Sequence, residues 1–415
     1  MSGHSAKGRL RGMAAMKVKA VLLLSACSIL LGGCWDLRYL DKLGVVMALG
    51  VDVDPTGKQE LRLTAQVVLA QNVAAESKGG IGGAPVTTFT ETGNTMFEAI
   101  RKMSAKTSRR LFFSHTQMLI IGEKMARRGI YPLVDLIERN PDIRTDISVM
   151  VARGLKAEQL LQTTTQMESI PINQMHEMIE VNQESYGMNY VVEVNELIRM
   201  TGKGQQQAVL PSIRLEGRKE MRNKMDNLTR IPASAYPALS TLAAFKEGKL
   251  VDFLKPKESR GLAWLQDEVK STIITLACPN SDGHLVVEVH DASRKYKVER
   301  EPDGMPLIKA NLLVTGSIQE IMCPGVDVGN EGTIDEIGLL ASGVVKSEAE
   351  AAIRKAQQSL RSDVLGWGLE VYLKEPAIWK RLEKDWERRF PEVASEVTCT
   401  ANLIGSGVRG ESIVK

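Results

Sequence analysis

The sequence predicts an α+β fold: mixed sheets with flanking helices, in two or three subdomains behind an N-terminal signal. Three observations carry that reading. Strand-like runs and helically spaced apolar segments follow one another without the regular alternation of a doubly wound sheet. The 415 residues, 43% hydrophobic and 25% charged, suffice for two or three cores at roughly 150 residues each. Only the first 34 residues hold a long unbroken apolar run, and nothing later approaches the ~18 apolar residues of a spanning helix. Charge is nearly balanced, 53 Lys plus Arg against 50 Asp plus Glu. Five of those cations (Lys7, Arg9, Arg11, Lys17, Lys19) precede Gly33, which leaves 48 against 50 for the rest. Phosphate tracking needs a concentrated basic surface, so no nucleic-acid partner is expected.

Ala20 to Leu31 reads AVLLLSACSILL, preceded by Lys17 and Lys19 and followed by Gly32-Gly33-Cys34. A basic start, a short apolar run and small residues before the break make a secretory signal, too short for a membrane span. Leu31-Gly32-Gly33-Cys34 resembles the bacterial lipobox, in which the thiol is joined to diacylglycerol and the chain is then cleaved so that Cys becomes its first residue. Leu24-Ser25-Ala26-Cys27 is a second candidate. An apolar region runs ~7–15 residues; Ala20 to Ala26 is 7, and Ala20 to Gly33 is 14, so Cys34 is favoured. Residues 1–15 add nothing to the signal, which leaves Met13 and Met16 as alternative starts. Two or three acyl chains hold a protein durably on a bilayer where one does not. After cleavage only Cys278, Cys323 and Cys399 remain, a sparse set with no metal-like spacing that allows at most one bridge.

Leu43 to Val53 and Leu61 to Leu69 read as strands joined at Asp54-Pro55-Thr56-Gly57, a hairpin. Asn72 to Pro85, rich in Gly and Ala, reads as a loop. Thr95 to Glu98 is a capping box opening a helix with Met96, Ile100 and Met103 on one face. Leu111 to Ile121 reads as one buried strand containing a core His115. Short helices follow over Glu123 to Arg128 and from Pro132 to Arg139, then a strand over Ile147 to Ala152 and a helix over Lys156 to Gln162. Pro171 opens a helix with Ile172, Met175 and Ile179 apolar, and another covers Asn195 to Met200. The charged, aperiodic stretch 217–232 is read as a linker between domains of 34–216 and 233–410.

The second domain is predicted β-rich over 233–325 and helical, with a closing strand, over 345–410. Leu239 to Phe245 and Lys249 to Leu254 form a hairpin around Glu247-Gly248; a short helix covers Ser259 to Val269. Strands follow at Thr272 to Ala277, His284 to His290 and Ile308 to Ile321, with Arg294 to Arg300 a charged edge able to extend the sheet. Ser347 to Glu350 reads as a second capping box, opening a helix with Ala349, Ile353, Ala356, Leu360 and Val364 in a stripe. Pro376 opens another with Trp379, Leu382, Trp386 and Phe390 at spacing 3, 4, 4. Trp379, Trp386 and Phe390 are expected to be a packed helix face, and a partner surface only if exposed. Val397 to Ile404 is the last strand.

No catalytic constellation emerges. Gly202-Lys203-Gly204 lacks the spacing of a phosphate loop, and Gly405-Ser406-Gly407 is not a nucleophile elbow. His176-Glu177 opens like a zinc-protease helix, but the fifth position is Glu180 and one ligand is missing. His284 and His290 would lie about 20 Å apart at ~3.3 Å per residue. Neither cofactor nor metal is expected.

The residues match a known family nonetheless. Cys34-Trp35-Asp36 followed by Val45 to Asp52 (VVMALGVD) resembles the start of the mature Ger(x)C lipoproteins, the C subunits of spore germinant receptors. Gly93-Asn94-Thr95 with Glu98-Ala99, Ser108 to His115 (SRRLFFSH), Leu119 to Glu123 and Asp135 to Ile143 continue the resemblance in order. Leu365-Gly366-Trp367-Gly368, Trp379, Trp386 and Phe390-Pro391 complete it. It implies a non-enzymatic α+β protein held by acylated Cys34 on the outer face of the spore inner membrane. Integral membrane A and B subunits would be its partners in a nutrient-triggered receptor, and no catalytic residue is implied. Leu37-Arg38-Tyr39-Leu40 and Trp367 depart from the family's usual residues. The alternative from another class is a substrate-binding lipoprotein of a transporter, which would show two lobes around a deep polar cleft.

Overall fold

Apolar runs long enough to be buried on both sides organise the first part of the chain. The computed structural model describes residue 19 and residues 42–76, 83–202, 204–278 and 282–404. Strands β1 (Leu43–Val53) and β2 (Leu61–Val68) form the expected antiparallel hairpin. Its turn is held by the Asp54 carboxylate, which accepts from Thr56 N at 3.1 Å and Gln59 N at 3.1 Å. The stretch expected to be loop begins as helix α1 (Ala70–Glu76), and residues 77–82 of it lie outside the described residues. It leads to a strand the sequence did not announce, β3 (Val86–Gly93), antiparallel to β2. Helix α2 (Met96–Met103) is capped by Thr95 Oγ1, which accepts from Glu98 N at 3.1 Å; Glu98 in turn accepts from Asn94 N at 2.8 Å.

The single strand expected over Leu111 to Ile121 is two. β4 (Arg110–Phe112) pairs with β1, and β5 (Met118–Gly122) runs parallel to β1. Between them the chain turns, with Thr116 N donating to Phe113 O at 2.9 Å. His115 sits on that turn, exposed, its ring edge-on to Phe112 at 5.6 Å, so it is not a core histidine. Helices α3 (Glu123–Arg128) and α4 (Tyr131–Arg139), strand β6 (Ser148–Ala152) and helices α5 (Ala157–Leu161), α6 (Pro171–Ser185) and α7 (Val194–Thr201) follow as expected. Then come β7 (Val209–Leu210), β8 (Ser212–Gly217), α8 (Asp226–Thr229) and β9 (Ala235–Leu239). The charged segment 217–232 leaves on β8 and returns on β9, its antiparallel neighbour. Buried Asn227 fastens the return, accepting from Ala235 N at 2.8 Å and donating to Ala235 O at 2.9 Å.

This sheet has the order β3-β2-β1-β5-β6-β8-β9, with β4 beside β1, and is parallel across β1, β5, β6 and β8. Successive residues of β5 feed opposite cores, as side chains on a strand must. Leu119 and Ile121 pack with Met103, Leu133 and Ile137 from α2 and α4; Met118 and Ile120 pack with Leu160, Ile172, Met175 and Ile179 from α5 and α6.

The run expected as one strand from Leu239 to Phe245 is broken where the chain changes sheet. Arg153 fills the break, donating to Ser240 Oγ at 2.8 Å and Thr241 Oγ1 at 3.1 Å. β10 (Ala243–Lys246) and β11 (Lys249–Phe253) make the hairpin, joined by β7 as a third strand. Helix α9 (Pro256–Gln266) precedes a sheet of order β12 (Thr272–Ala277), β13 (His284–Arg300), β14 (Pro306–Ile321), β15 (Ala394–Ile404). Arg294 to Arg300 does extend β13. β15 is parallel to β14, so the intervening helices form a crossover connection.

That crossover begins with α10 (Glu331–Arg354), which corrects the expected helix start at Ser347. The helix is capped seventeen residues earlier, Asn330 Oδ1 accepting from Gly332 N at 2.8 Å. Three glycines in its first half lower helix propensity. One has a packing reason: a Cβ on Gly338 would lie 2.9 Å from Ala401 O of β15. On the other side, a Cβ on Gly261 of α9 would lie 2.0 Å from Glu348 O, so α9 and α10 meet at backbone distance. Glu348, read from sequence as part of a cap, is instead buried, accepting from Arg260 Nε at 2.8 Å and Trp264 Nε1 at 2.9 Å.

The helix expected from Pro376 onward is interrupted. After α11 (Trp367–Lys374) come α12 (Pro376–Leu382), α13 (Trp386–Arg389) and a 3-10 turn at Phe390–Glu392. Trp379, Trp386 and Phe390 are buried, with neighbouring ring centroids 5.5 Å and 6.3 Å apart, so they form packed interior and no partner surface. Cys278 and Cys323 form a disulfide; Cys399 is free and half-buried, and burial pushes its thiol up to about 11.

Candidate functional site

His176 on α6 has Nδ1 3.2 Å from Ser148 Oγ and Nε2 3.6 Å from Glu180, a polar helix face. His284 is exposed, and His290 Nε2 lies 2.7 Å from Ser317 Oγ. Among the described residues no three His, Cys, Asp or Glu side chains converge as metal ligands would. A cavity of about 480 Å³ at the carboxyl ends of β1, β5 and β6 is lined by Asp52, Glu123, Arg127 and Lys156. Its two carboxylates are engaged in structure. Asp52, pushed up by burial, accepts from Ala157 N at 2.9 Å and Glu158 N at 3.0 Å, and Glu123 pairs with Arg127 at 2.8 Å. No described helix is long and apolar enough to cross a membrane.

The resemblance motifs divide into interior and surface. Leu365-Gly366-Trp367-Gly368 is interior, wrapped around Asp363. That carboxylate accepts from Trp367 N at 3.0 Å, Gly368 N at 2.7 Å and Trp386 Nε1 at 2.8 Å. Burial outweighs these three donors and pushes Asp363 up to about 6. Sequence reasoning missed it; the signal was an Asp just ahead of a Gly-Trp-Gly run whose amides need an acceptor.

Ser108 to His115 is the surface motif. Thr107 Oγ1 accepts from Arg109 N at 3.1 Å and donates to Arg109 O at 2.9 Å, turning the chain so that Arg109 and Arg110 face outward. With Phe97, Ile100, Arg101 and Asp142 they line a shallow cavity of about 330 Å³. Arg101 lies over the exposed Phe97 ring, 4.7 Å from its centroid. The place of this cavity follows from β4 pairing with β1: a Cβ on Gly44 would lie 3.4 Å from Leu111 Cδ2 and 3.7 Å from Arg109 Cβ. The arginine face therefore flanks the start of β1. Cys34 itself, Cys27, and Ser406 lie outside the described residues.

Comparison with known proteins gives these motifs a context. Residues 36–215 match the spore germination protein N-terminal domain, and residues 240–407 match the spore germination B3/GerAC-like C-terminal domain. The chain belongs to the Ger(x)C family of spore germination proteins. Among its Ger(x)C relatives, spore germination protein KC of Bacillus subtilis (strain 168) is 27% identical over 399 residues, covering 95% of this chain and 97% of that protein. The putative spore germination protein YfkR of the same organism is 23% identical over 410 residues, 95% and 98% of the two chains. The crystal structure of the GerBC protein shares the fold at a TM-score of 0.54 and 15% identity, covering 89% of this chain and 100% of that one. The mixed-sheet α+β architecture is thus that of the Ger(x)C fold.

Proposed function

We propose that this chain is a non-enzymatic, lipid-anchored subunit of a nutrient germinant receptor, required for germination. It would be held by acylated Cys34 on the outer face of the spore inner membrane and act with integral membrane A and B subunits. One observation carries the reading: germination-family motifs run in order through nearly the whole body, directly behind the Leu31-Gly32-Gly33-Cys34 lipobox. A non-enzymatic role fits what the buried carboxylates do: Asp52 accepts from the first amides of α5, Glu348 ties α9 to α10, and Asp363 holds the Trp367 and Gly368 amides. Durable attachment needs more than one acyl chain, which lipobox processing supplies.

The experiment is a Cys34→Ala chain expressed in the spore-forming host. Loss of the acylated species by mass spectrometry, release of the protein from the membrane fraction and slower nutrient-triggered germination are the expected results. Normal germination by a protein still held on the membrane would overturn the anchor role. Co-purification of the acylated wild-type chain with two integral membrane proteins tests the receptor assignment; recovery without them would refute it.

A further inference from the structure

We propose that the face built from Phe97, Arg101, Arg109 and Arg110 docks on anionic phospholipid headgroups of the bilayer that holds the anchor. The inference rests on the acylated Cys34 of the proposed function and adds to it an orientation of the body.

The first support is reach. Lys42 lies eight positions after Cys34, and a fully extended chain covers at most about 3.5 Å per residue, so the start of β1 stays within about 30 Å of the anchored sulfur. Arg109 packs against Gly44 at that same start. A tether this short holds the face at high effective concentration beside the leaflet.

The second support is charge. Three arginines and one acid, Asp142, line the cavity. Arg109 and Arg110 have no carboxylate partner among the described residues, whereas nearby Arg128, Arg139 and Arg144 pair with Glu60, Asp135 and Asp146. Lys102 and Lys106, the next cations along the chain from Arg101, are paired with Glu98 and Glu91, so their charge is already answered. Unanswered guanidinium groups, planar forks that fit phosphate oxygens, are what an anionic surface attracts.

The third is Phe97. It is 44% exposed beneath Arg101, an aromatic ring under a cation at the face's edge. Phe, like Trp and Leu, is a residue that interfacial surfaces bury at the headgroup–acyl boundary beside their cations.

The test uses the acylated protein, purified from membranes and reconstituted in vesicles of phosphatidylcholine alone or with about 30% phosphatidylglycerol, enough to give a negative surface potential. Amide hydrogen exchange across residues 97–115 is the readout. Exchange should slow severalfold on the anionic vesicles only, and the slowing should vanish near 1 M salt, where the Debye length falls to about 3 Å. The triple variant Arg101→Gln, Arg109→Gln, Arg110→Gln should still float with the vesicles but lose the slowing; the triple Lys variant should keep most of it. Equal exchange on both vesicles, with Cys34 acylated by mass spectrometry, overturns the docking face and leaves the anchor standing. An unacylated Cys34 sinks both. Slowing produced by glycerol 3-phosphate without vesicles overturns the assignment to a lipid surface.

Discussion

The sheet of β1–β6, β8 and β9 and the sheet of β12–β15 solve the same burial problem in opposite ways. Every residue of β5 and β6 is buried, because helices cover both faces of the first sheet. In β12 burial alternates strictly; Ile274 and Leu276 face α9 and α10, while Ile273 is 40% exposed. Leu313 and Ile404 are likewise exposed on the second sheet. The central strands of the first sheet therefore have no tolerant face, and the second sheet has one.

Substitutions on neighbouring residues separate the two designs most sharply. Leu119→Ala and Ile120→Ala, adjacent in β5, should each cost about 3–4 kcal/mol in denaturant unfolding, since each empties a different core. Of the neighbours Ile273 and Ile274 in β12, only Ile274→Ala should do so. A tolerant residue in β5 would break the comparison.

Next comes the ion pair under the second sheet. Glu348→Ala leaves Arg260 and the Trp264 indole without their acceptor and should cost about 3 kcal/mol, below the cost for a fully enclosed pair because Arg260 retains some solvent contact. Glu348→Met, which equally removes the acceptor, should show a comparable loss; a neutral result for both would detach α9–α10 packing from this contact.

A smaller, pH-dependent effect lies where the helices of the two regions meet. Glu268, following α9, receives Gln183 Nε2 of α6 at 3.0 Å. Burial, then the charges of Glu196 and Asp267, push it up to about 7, against the opposing pull of Lys270 and Gln183. A raised carboxyl pKa favours the protonated native state. Its contribution is whole below the unfolded value near 4.5 and is lost as pH rises to about 7. Wild-type stability should fall over that window by about 1–2 kcal/mol relative to Glu268→Gln, and parallel pH profiles would refute it.

The smallest expected effect sharpens the contrast from the tolerant side. Ile273→Ser should change stability by less than about 0.5 kcal/mol, as exposed positions do. A larger loss would mean that something covers that face.

The same difference explains what was legible. Continuous apolar runs announced β1, β2, β6 and the stretch that holds β5, a β-rich run announced β12, and prolines marked the starts of α4, α6 and α12, whereas α9, expected from Ser259, opens at Pro256. β3 went unseen because VTTFTETG is half-exposed along most of its length and neither apolar nor alternating. The first half of α10 went unseen because its glycines lower helix propensity, and the close approach of β15 that Gly338 permits is not visible locally. Cys34 could be read locally, since a signal peptide is recognised as a linear pattern. The arginine face could not: Arg109 meets the start of β1 only through pairing across more than sixty residues. The Asp363 and Glu348 clusters were hidden for the same reason, each joining partners distant in sequence.

The parallel seating of β15 on β14 has a consequence for a nascent or clipped polypeptide. The eleven residues Ala394–Ile404 are the last described to enter the architecture, yet they cover a β14 margin that otherwise keeps unmet amides and carbonyls. A product halted before Ala394 would present that margin as a template for strangers, so proteolytic quality control should clear it, and premature stops near the 3′ end of the coding sequence should behave as nulls.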